Sequence, residues 1–289
     1  MKLKIVVVLI AITLAWLVGR GAIQVNKVVK VHGASAHAEG AQASSPAGVA
    51  QEGRDEIRET FKLARGARVE VRGINGPVSL VAVDSDTAEV HVTRVARDRA
   101  DLERQKVTVE QTAEGLVVRG HKSEDDHWWK FWKGGEVKTE VSLRVPRASE
   151  VAAKGVNGAV SIGEFEGAVR VSGVNGRVEI GRSVGTAEVS GVNGGVTLGI
   201  SRLSSDGVSV KGVNGGVTIR AAGDLNADLE VKGLNGSVTL DVPNAVEQER
   251  RRNSLRARIG SGGPSISVKG INGGVRIEPA ASSPTSSGS

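Results

Sequence analysis

The chain contains no cysteine and no tyrosine, and aromatic residues account for only 2% of its 289 residues. The lack of cysteine excludes disulfides, thiolate metal sites, a catalytic thiol and a lipid-modified cysteine. Hydrophobic residues still make up 39% of the chain, so the core must consist of Val, Ile, Leu and Ala. Val is β-branched and prefers extended backbone, and the 39 glycines supply turns. The composition therefore predicts many short strands and little helix.

The excess of positive charge lies mostly at the N-terminus. The formal net charge is +6, but five basic residues precede the first acidic residue, Glu39. The rest of the chain carries 33 basic and 32 acidic residues. A nearly neutral body lacks the basic footprint of a nucleic-acid binder, so no nucleic-acid partner is expected.

The N-terminal segment predicts export. Between Ile5 and Val18 the only polar side chain is Thr13, and such a run suits a signal-peptide core but is shorter than the roughly 20 residues of a bilayer span. Ala34-Ser35-Ala36 offers small residues for cleavage but lies 16 residues beyond Val18. We therefore favour an uncleaved anchor over a cleaved signal peptide for residues 1–32, with tethering through residues 5–23. Residues 33–53 are predicted to be a flexible linker, and residues 279–289 a disordered tail.

A Gly-apolar-Asn-Gly unit occurs seven times in the chain. Its asparagines are Asn75, Asn157, Asn175, Asn193, Asn214, Asn235 and Asn272, with spacings of 82, 18, 18, 21, 21 and 37. In every copy, apolar residues lie at positions −6, −4, −1, +3 and +5 relative to the asparagine. Alternation with a period of two predicts one half-buried strand on each side of a sharp bend. The spacing of 37 suggests that residues between 235 and 272 form one degenerate repeat.

Two folds fit this pattern. In a repeated β-hairpin meander, Asn-Gly forms a two-residue turn, and the apolar positions on either side share a face. In a β-solenoid, Asn-Gly forms a corner, each coil has 18–21 residues, and equivalent residues of successive coils stack at about 4.8 Å. The apolar residue at −1 favours the solenoid, because it turns inward at a corner and would face solvent in a hairpin. Stacked asparagines would then form a hydrogen-bonded ladder.

The repeats, the segment "ARVEVRGINGPVSLVAVDSDTAEVHVTRVA" and the strand ends "LRVPRASEV" and "LDVPNAV" resemble the bacterial putative-adhesin family with Gly-Ile-Asn-type repeats in its head domains. The resemblance covers about residues 65–278. It implies an exported, right-handed, single-stranded β-helix, often membrane-tethered, without established enzymatic activity. It also implies a possible place beside envelope-stress signalling components.

Residues 84–150 break the short period, and together with residues 54–83 they make up one predicted region, residues 54–150. We interpret them as an irregular β region that contains the first repeat and caps a regular solenoid of residues 151–278, since solenoid ends need protection. A charged segment at 96–106 predicts a turn of helix. Four aromatic residues cluster inside this region: Trp128, Trp129, Phe131 and Trp132. They are expected to plug the end of the core, to bind carbohydrate or a partner protein, or to insert into a membrane surface.

A second anomaly is the basic segment around Arg250, Arg251 and Arg252. Its first interpretation is a solvated loop followed by a strand at Ser254–Ile259. The alternative is a contact site for an anionic glycan or lipid.

The outward positions of the repeats do not suggest catalysis. Polysaccharide-cleaving chemistry needs paired carboxylates. At +4 the only carboxylate is Glu179, and the −3 positions carry Arg72, Lys154, Ser172, Ser190, Lys211, Lys232 and Lys269. We therefore expect a non-catalytic, adhesin-like binding or scaffold module at the cell envelope, with no metal and no cofactor. Its partner would be a protein, a glycan or a membrane surface. The alternative functions are an extracytoplasmic sensor domain and, less favoured, a polysaccharide-cleaving enzyme.

Overall fold

A computed structural model describes residues 53–122 and 137–280. The strands within these ranges are β1 (Gly53–Lys62), β2 (Arg68–Arg72), β3 (Val78–Val83), β4 (Thr87–Ala96), β5 (Gln105–Gln111), β6 (Gly115–Lys122), β7 (Lys138–Pro146), β8 (Glu150–Val156), β9 (Val160–Ile162), β10 (Val169–Asn175), β11 (Val178–Ser183), β12 (Ala187–Asn193), β13 (Val196–Ile200), β14 (Val208–Asn214), β15 (Val217–Ala221), β16 (Ala227–Asn235), β17 (Val238–Leu240), β18 (Ala245–Arg251), β19 (Ser254–Ile259), β20 (Ser265–Asn272) and β21 (Val275–Pro279). One short helix, α1, spans Arg99–Arg104.

The strands form two mixed sheets, neither of which closes on itself. The eleven-stranded sheet has the order β5-β6-β2-β8-β10-β12-β14-β20-β16-β19-β18, and the ten-stranded sheet has the order β1-β4-β7-β3-β9-β11-β13-β15-β21-β17. Each repeat contributes the strand before its Asn-Gly to the eleven-stranded sheet and the strand after it to the ten-stranded sheet. The two strands that flank an Asn-Gly therefore do not pair, and the hairpin-meander alternative is wrong for these repeats.

Successive repeats pair in parallel and in register. Asn175 lies opposite Asn193 in the pair β10–β12, and Val178 lies opposite Val196 in the pair β11–β13. The apolar positions face inward from both sheets and form one continuous core of Val, Ile, Leu and Ala. The apolar residue at −1 also turns inward, as expected: Val174, Val192 and Val213 are each only 1% exposed.

The order of the last two repeats differs from their order in the chain. Strand β20 lies between β14 and β16, and β21 lies between β15 and β17. The final repeat therefore lies between the two repeats that precede it in sequence. The degenerate repeat predicted between residues 235 and 272 is absent: β18 and β19 form an antiparallel pair, and β19 joins the outer edge of β16. The bounds of β19 coincide with the strand predicted at Ser254–Ile259.

At the other end of the sheets, β6 and β7 pair in parallel with β2 and β3. Strands β6 and β7 thus add one strand to each sheet beside the first repeat, which makes this part of the fold more regular than predicted. Antiparallel strands complete this end, with β5 on β6 and with β4 and β1 beyond β7. The predicted helical turn is α1, whose N-cap side chain Asp98 accepts a hydrogen bond from the backbone of Asp101.

Two predicted boundaries shift slightly. Strand β1 begins at Gly53, the last residue of the predicted linker, and β21 ends at Pro279, the first residue of the predicted tail. The predicted leader, the rest of the linker and residues 281–289 lie outside the described residues. Among the described residues, no helix has the length and apolarity needed to cross a bilayer.

Candidate functional site

The seven predicted turn asparagines form one continuous ladder. Each side-chain amide donates from Nδ2 to the Oδ1 of the next asparagine toward the β6–β7 end. The donor–acceptor pairs are Asn157–Asn75 (2.8 Å), Asn175–Asn157 (2.9 Å), Asn193–Asn175 (3.0 Å), Asn214–Asn193 (2.9 Å), Asn272–Asn214 (2.9 Å) and Asn235–Asn272 (2.9 Å). Asn75 ends the ladder by donating to the backbone carbonyl of Val137 at 3.0 Å.

The ladder lies on the surface. Six of its asparagines are exposed and Asn75 is half-buried, whereas the neighbouring −1 side chains are buried. A primary amide has two N–H groups and two lone pairs on its oxygen, so an amide inside the ladder keeps one of each for a ligand or water. The corner is therefore a row of polar groups at regular spacing.

Glycine makes this close stacking possible. Gly194 has φ of 153°, and a Cβ atom there would lie 2.3 Å from the backbone oxygen of Gly176. Gly191, two residues before Asn193, has φ of 61°, a left-handed conformation that glycine adopts at little cost. These two glycines allow the backbone to bend sharply while the asparagine stays in line with its neighbours.

Three positions before each asparagine, a second row crosses the outer face of the eleven-stranded sheet. We name it the basic row. In spatial order it contains Arg119, Arg72, Lys154, Ser172, Ser190, Lys211, Lys269 and Lys232, each in register with the next. The row thus consists of two groups of three cations separated by two serines.

Sequence reasoning found seven of the eight residues in the basic row but not their order. Arg119 was missed because β6 lacks the Gly-apolar-Asn-Gly unit. A signal for it exists in the sequence, since "LVVRG" at 116–120 parallels "VEVRG" at 69–73. The insertion of β20 between β14 and β16 places Lys269 between Lys211 and Lys232.

Each group of three cations contacts one carboxylate. Glu70 pairs with Arg72 and Lys154, and its side chain is only 12% exposed. Glu230 pairs with Lys232 at 2.6 Å and with Lys269 at 3.6 Å. The hydrogen bond from Lys232 is the main cause that lowers the pKa of Glu230, and the charge of Lys269 adds to it. Both carboxylates are therefore outnumbered by the cations around them.

The predicted aromatic contact site lies outside the described residues. Trp128, Trp129, Phe131 and Trp132 belong to the segment between Lys122 at the end of β6 and Val137 before β7. In each repeat, Asn-Gly stands between the two strands. The backbone carbonyl of Val137 accepts a hydrogen bond from the side-chain amide of Asn75, the last asparagine of the ladder.

The predicted anion contact at Arg250, Arg251 and Arg252 is only partly a loop. Arg250 and Arg251 belong to β18, and Arg252 lies in the following turn. Arg250 pairs with Glu247, which raises the pKa of the guanidinium, and it also donates to the backbone carbonyl of Val238 at 3.3 Å. Arg251 pairs with Glu249. Two of the three arginines therefore already have carboxylate partners.

Within residues 53–122 and 137–280, no three His, Asp or Glu side chains are grouped so that they could hold a metal ion. Surface depressions among these residues are lined by mixed polar and apolar side chains, such as the one beside Asp84, Glu89 and Arg144. The regular features of the surface are the asparagine ladder and the basic row, and both can bind a ligand through hydrogen bonds and charge.

The described residues define an all-β protein with two mixed sheets. No protein-family model and no curated protein matches the chain. Its fold is similar to a solved structure of a putative cell adhesion protein from Clostridium sporogenes, at 12% identity and a TM-score of 0.34, covering 78% of this chain and 100% of that one. It is also similar to a putative adhesin from Bacteroides fragilis, at 13% identity and a TM-score of 0.31, covering 77% of this chain and 97% of that one.

A putative adhesin from Parabacteroides merdae is similar at 14% identity and a TM-score of 0.26, covering 77% of this chain and 95% of that one. These neighbours agree with the adhesin family that the repeats resemble.

Proposed function

We propose that the chain is an exported, adhesin-like binding or scaffold module of the cell envelope that performs no catalysis. The observation that carries the proposal is the parallel, in-register pairing of the repeat strands in both sheets, which aligns exposed polar residues of seven repeats into straight rows. A surface built in this way presents the same chemical group at fixed intervals of about 4.8 Å. Such a surface suits the recognition of an extended, repetitive partner.

The proposed architecture is a right-handed β-solenoid with coils of 18–21 residues. The differences between residues in register, 18 from Asn175 to Asn193 and 21 from Asn193 to Asn214, support this coil length. Strands β1, β4 and β5 at one end and β18 and β19 at the other would cap the stack, because an uncovered terminal strand is prone to pair with other chains. The rigid core would hold the binding rows straight.

Binding is tested with full-length protein, purified in a non-ionic detergent and coated on beads. The beads are incubated with arrays of glycans and of envelope and matrix proteins. We expect saturable binding to at least one class of partner, competed by the soluble protein. If no class binds saturably, the proposal of a binding module is wrong.

The proposed location is the cell envelope, with the β-solenoid tethered through residues 5–23. Membrane flotation of the full-length protein is compared with that of a variant lacking residues 1–36. A Trp128→Ala, Trp129→Ala, Trp132→Ala variant, made in both backgrounds, provides the comparison for the aromatic segment. If tethering is correct, the full-length protein floats and the leaderless protein does not.

Flotation of the leaderless protein that is lost with the tryptophan substitutions would contradict tethering by the leader alone. It would make the aromatic segment a membrane contact. That outcome favours the second candidate function, an extracytoplasmic sensor domain in envelope-stress signalling, because the module would then respond to the membrane surface.

A further inference from the structure

The basic row is a linear cationic surface assembled by the tertiary fold. It has two groups of three cations, Arg119, Arg72 and Lys154 on one side and Lys211, Lys269 and Lys232 on the other. Members of the two groups lie up to 197 residues apart in sequence. A spacing of about 4.8 Å between neighbouring strands gives the eight positions a length of about 34 Å. The row therefore extends across most of the parallel part of the sheet.

The carboxylates nearby do not neutralise this charge. The row contains six cations, and its ion pairs are with two carboxylates, Glu70 and Glu230. In the described part of the chain, Lys211 and Arg119 have no ion pair. The Nε atoms of Arg72 and Arg119 are buried without a hydrogen-bond partner there. A buried Nε atom cannot reach a ligand, but the Arg72 side chain is 38% exposed, so the outer part of its guanidinium can contact an acidic partner.

The shape of the row favours a polymer over a flat membrane as its binding partner. The cations form a single file, with side chains of Arg72, Lys154, Lys232 and Lys269 between 38% and 48% exposed. The next outward row, two residues earlier in each strand, mixes acids and bases, including Glu70, Arg170 and Glu188. Charge complementarity is thus restricted to one line, which matches a single extended polyanion.

The polar groups beside the cations favour a polysaccharide over a nucleic acid as the binding partner. Ser172 and Ser190 separate the two cation groups, and the asparagine ladder runs three residues further along the same strands. Hydroxyl and amide groups are suited to the hydroxyls of a sugar ring. Binding of single-stranded nucleic acid uses aromatic side chains that stack on bases, and the described strands of the eleven-stranded sheet contain no Phe, Tyr or Trp.

We propose that the basic row binds a linear acidic polysaccharide. The two cation groups pair with carboxylate or sulfate groups of the polymer, while Ser172, Ser190 and the asparagine ladder hydrogen-bond to its hydroxyls. This inference rests on the proposed binding function and names the partner class for it.

The test measures binding of full-length protein in detergent to alginate, a linear polyuronate, at several salt concentrations. The variant Lys211→Ser, Lys269→Ser, Lys232→Ser places at these positions the residue that Ser172 and Ser190 already show to be compatible with the sheet. We expect it to lower alginate affinity by about tenfold or more and to reduce the salt dependence, because fewer counterions are released on binding. A control variant with the same change in charge, Arg177→Ser, Arg202→Ser, Arg276→Ser, should bind alginate as the unchanged protein does.

Glu230→Gln provides a test in the opposite direction. This carboxylate forms ion pairs with Lys232 and Lys269. These contacts lower its pKa and so favour its ionised form. Its removal leaves both lysines available, so alginate affinity should increase at unchanged fold. A decrease in affinity would contradict the proposed role of the lysines.

Three further probes decide between partner classes: neutral dextran, oligo-deoxythymidine and vesicles of phosphatidylglycerol. Binding to alginate and not to these probes supports the proposal. Equal or tighter binding to the oligonucleotide or to the vesicles overturns it, and so does equal loss of alginate binding in the two charge variants. If alginate does not bind while another partner on the arrays does, the basic row is not the site and the binding function itself still stands.

Discussion

At the residue scale, the repeated Gly-apolar-Asn-Gly unit serves three different purposes. The glycine permits close approach of successive backbones, and the asparagine links neighbouring repeats through its side chain. The −1 residue contributes to the core from the same bend. One four-residue unit therefore supplies a turn, a link between repeats and a buried side chain.

Substitution of a ladder asparagine tests the value of the side-chain links. Asn193→Ala removes two hydrogen bonds, one donated to Asn175 and one accepted from Asn214. Because the ladder is exposed, we expect a loss of only about 1 kcal/mol in the free energy of unfolding. Asn235→Ala, at the end of the ladder, removes the bond to Asn272 and should cost about half as much.

Chemical denaturation of the two asparagine variants and the unchanged protein provides the measurement. An equal and negligible effect of both substitutions would show that the ladder contributes nothing to stability. Asn193→Asp is a useful third variant, because a carboxylate cannot donate to Asn175 and should destabilise more than alanine does.

Two adjacent glycines provide a matched test of the corner. Gly194 has φ of 153°, and a Cβ atom would lie 2.3 Å from the backbone oxygen of Gly176. At Gly195 the nearest atom to an added Cβ is 3.7 Å away, which is ordinary contact. Gly194→Ala should therefore lower the free energy of unfolding by about 2 kcal/mol or more, because backbone must shift.

The control, Gly195→Ala, should change the free energy of unfolding by no more than about 0.5 kcal/mol. Thermal unfolding followed by circular dichroism compares the two. Similar melting temperatures for both variants would contradict the close backbone stacking at Gly194.

At the scale of the element, each repeat behaves as one unit of two strands, with one strand in each sheet. Strand β12 contacts β10 and β14, and β13 contacts β11 and β15. The core side chains of a repeat lie between equivalent side chains of its two neighbours. Interactions within such an array are mainly between nearest neighbours, so a central repeat should be removable as a unit.

Deletion of residues 176–193 tests this property. The deletion joins Asn175 to Gly194 and so preserves an Asn-Gly unit at the junction. We expect a folded protein with two fewer strands, a β-sheet circular dichroism spectrum and a single cooperative unfolding transition. Loss of cooperative unfolding would count against independent stacking of the repeats.

At the scale of the whole molecule, the C-terminal repeat is internal to both sheets. Strand β20 separates β14 from β16, and β21 is the neighbour that joins β17 to the ten-stranded sheet. The chain reaches this position by way of the antiparallel strands β18 and β19, which reverse its direction after β17. Strands β20 and β21 of the final repeat therefore lie between strands of earlier repeats.

Truncation after Pro264 should be far more damaging than deletion of residues 176–193. It removes β20 and β21, so β16 loses its parallel partner and β17 loses its only partner. We expect loss of cooperative unfolding and aggregation through the exposed strand edges. A control that lacks residues 281–289 should unfold as the full-length protein does.

Size-exclusion chromatography and thermal denaturation measure these outcomes. In a stack that followed the order of the chain, truncation after Pro264 would remove only a terminal repeat and leave the rest folded. A soluble, cooperatively unfolding truncated protein would therefore contradict the strand order found here.

Much of the fold could be predicted from the sequence because its signals are local. Alternation of apolar residues around Asn193 predicted the strands β12 and β13, and the inward side chain of Val192 favoured a corner over a hairpin. The segment at residues 235–272 was mispredicted, since its length of 37 equals about two repeats and concealed an antiparallel pair. The regular placement of β6 and β7 was also missed, because the aromatic segment interrupts the corner motif between them.

The sequence by itself determined the all-β class, the strands, the bends and the inward apolar positions, since each depends on a few neighbouring residues. The tertiary structure alone decided which repeats are neighbours. Seven nearly identical repeats offer nearly equal pairing surfaces, so their local pattern cannot specify an order. That order is set by the antiparallel pairing of β19 with β16, which returns the chain between β14 and β16. The same pairing decides the position of Lys269, which lies between Lys211 and Lys232 in the basic row.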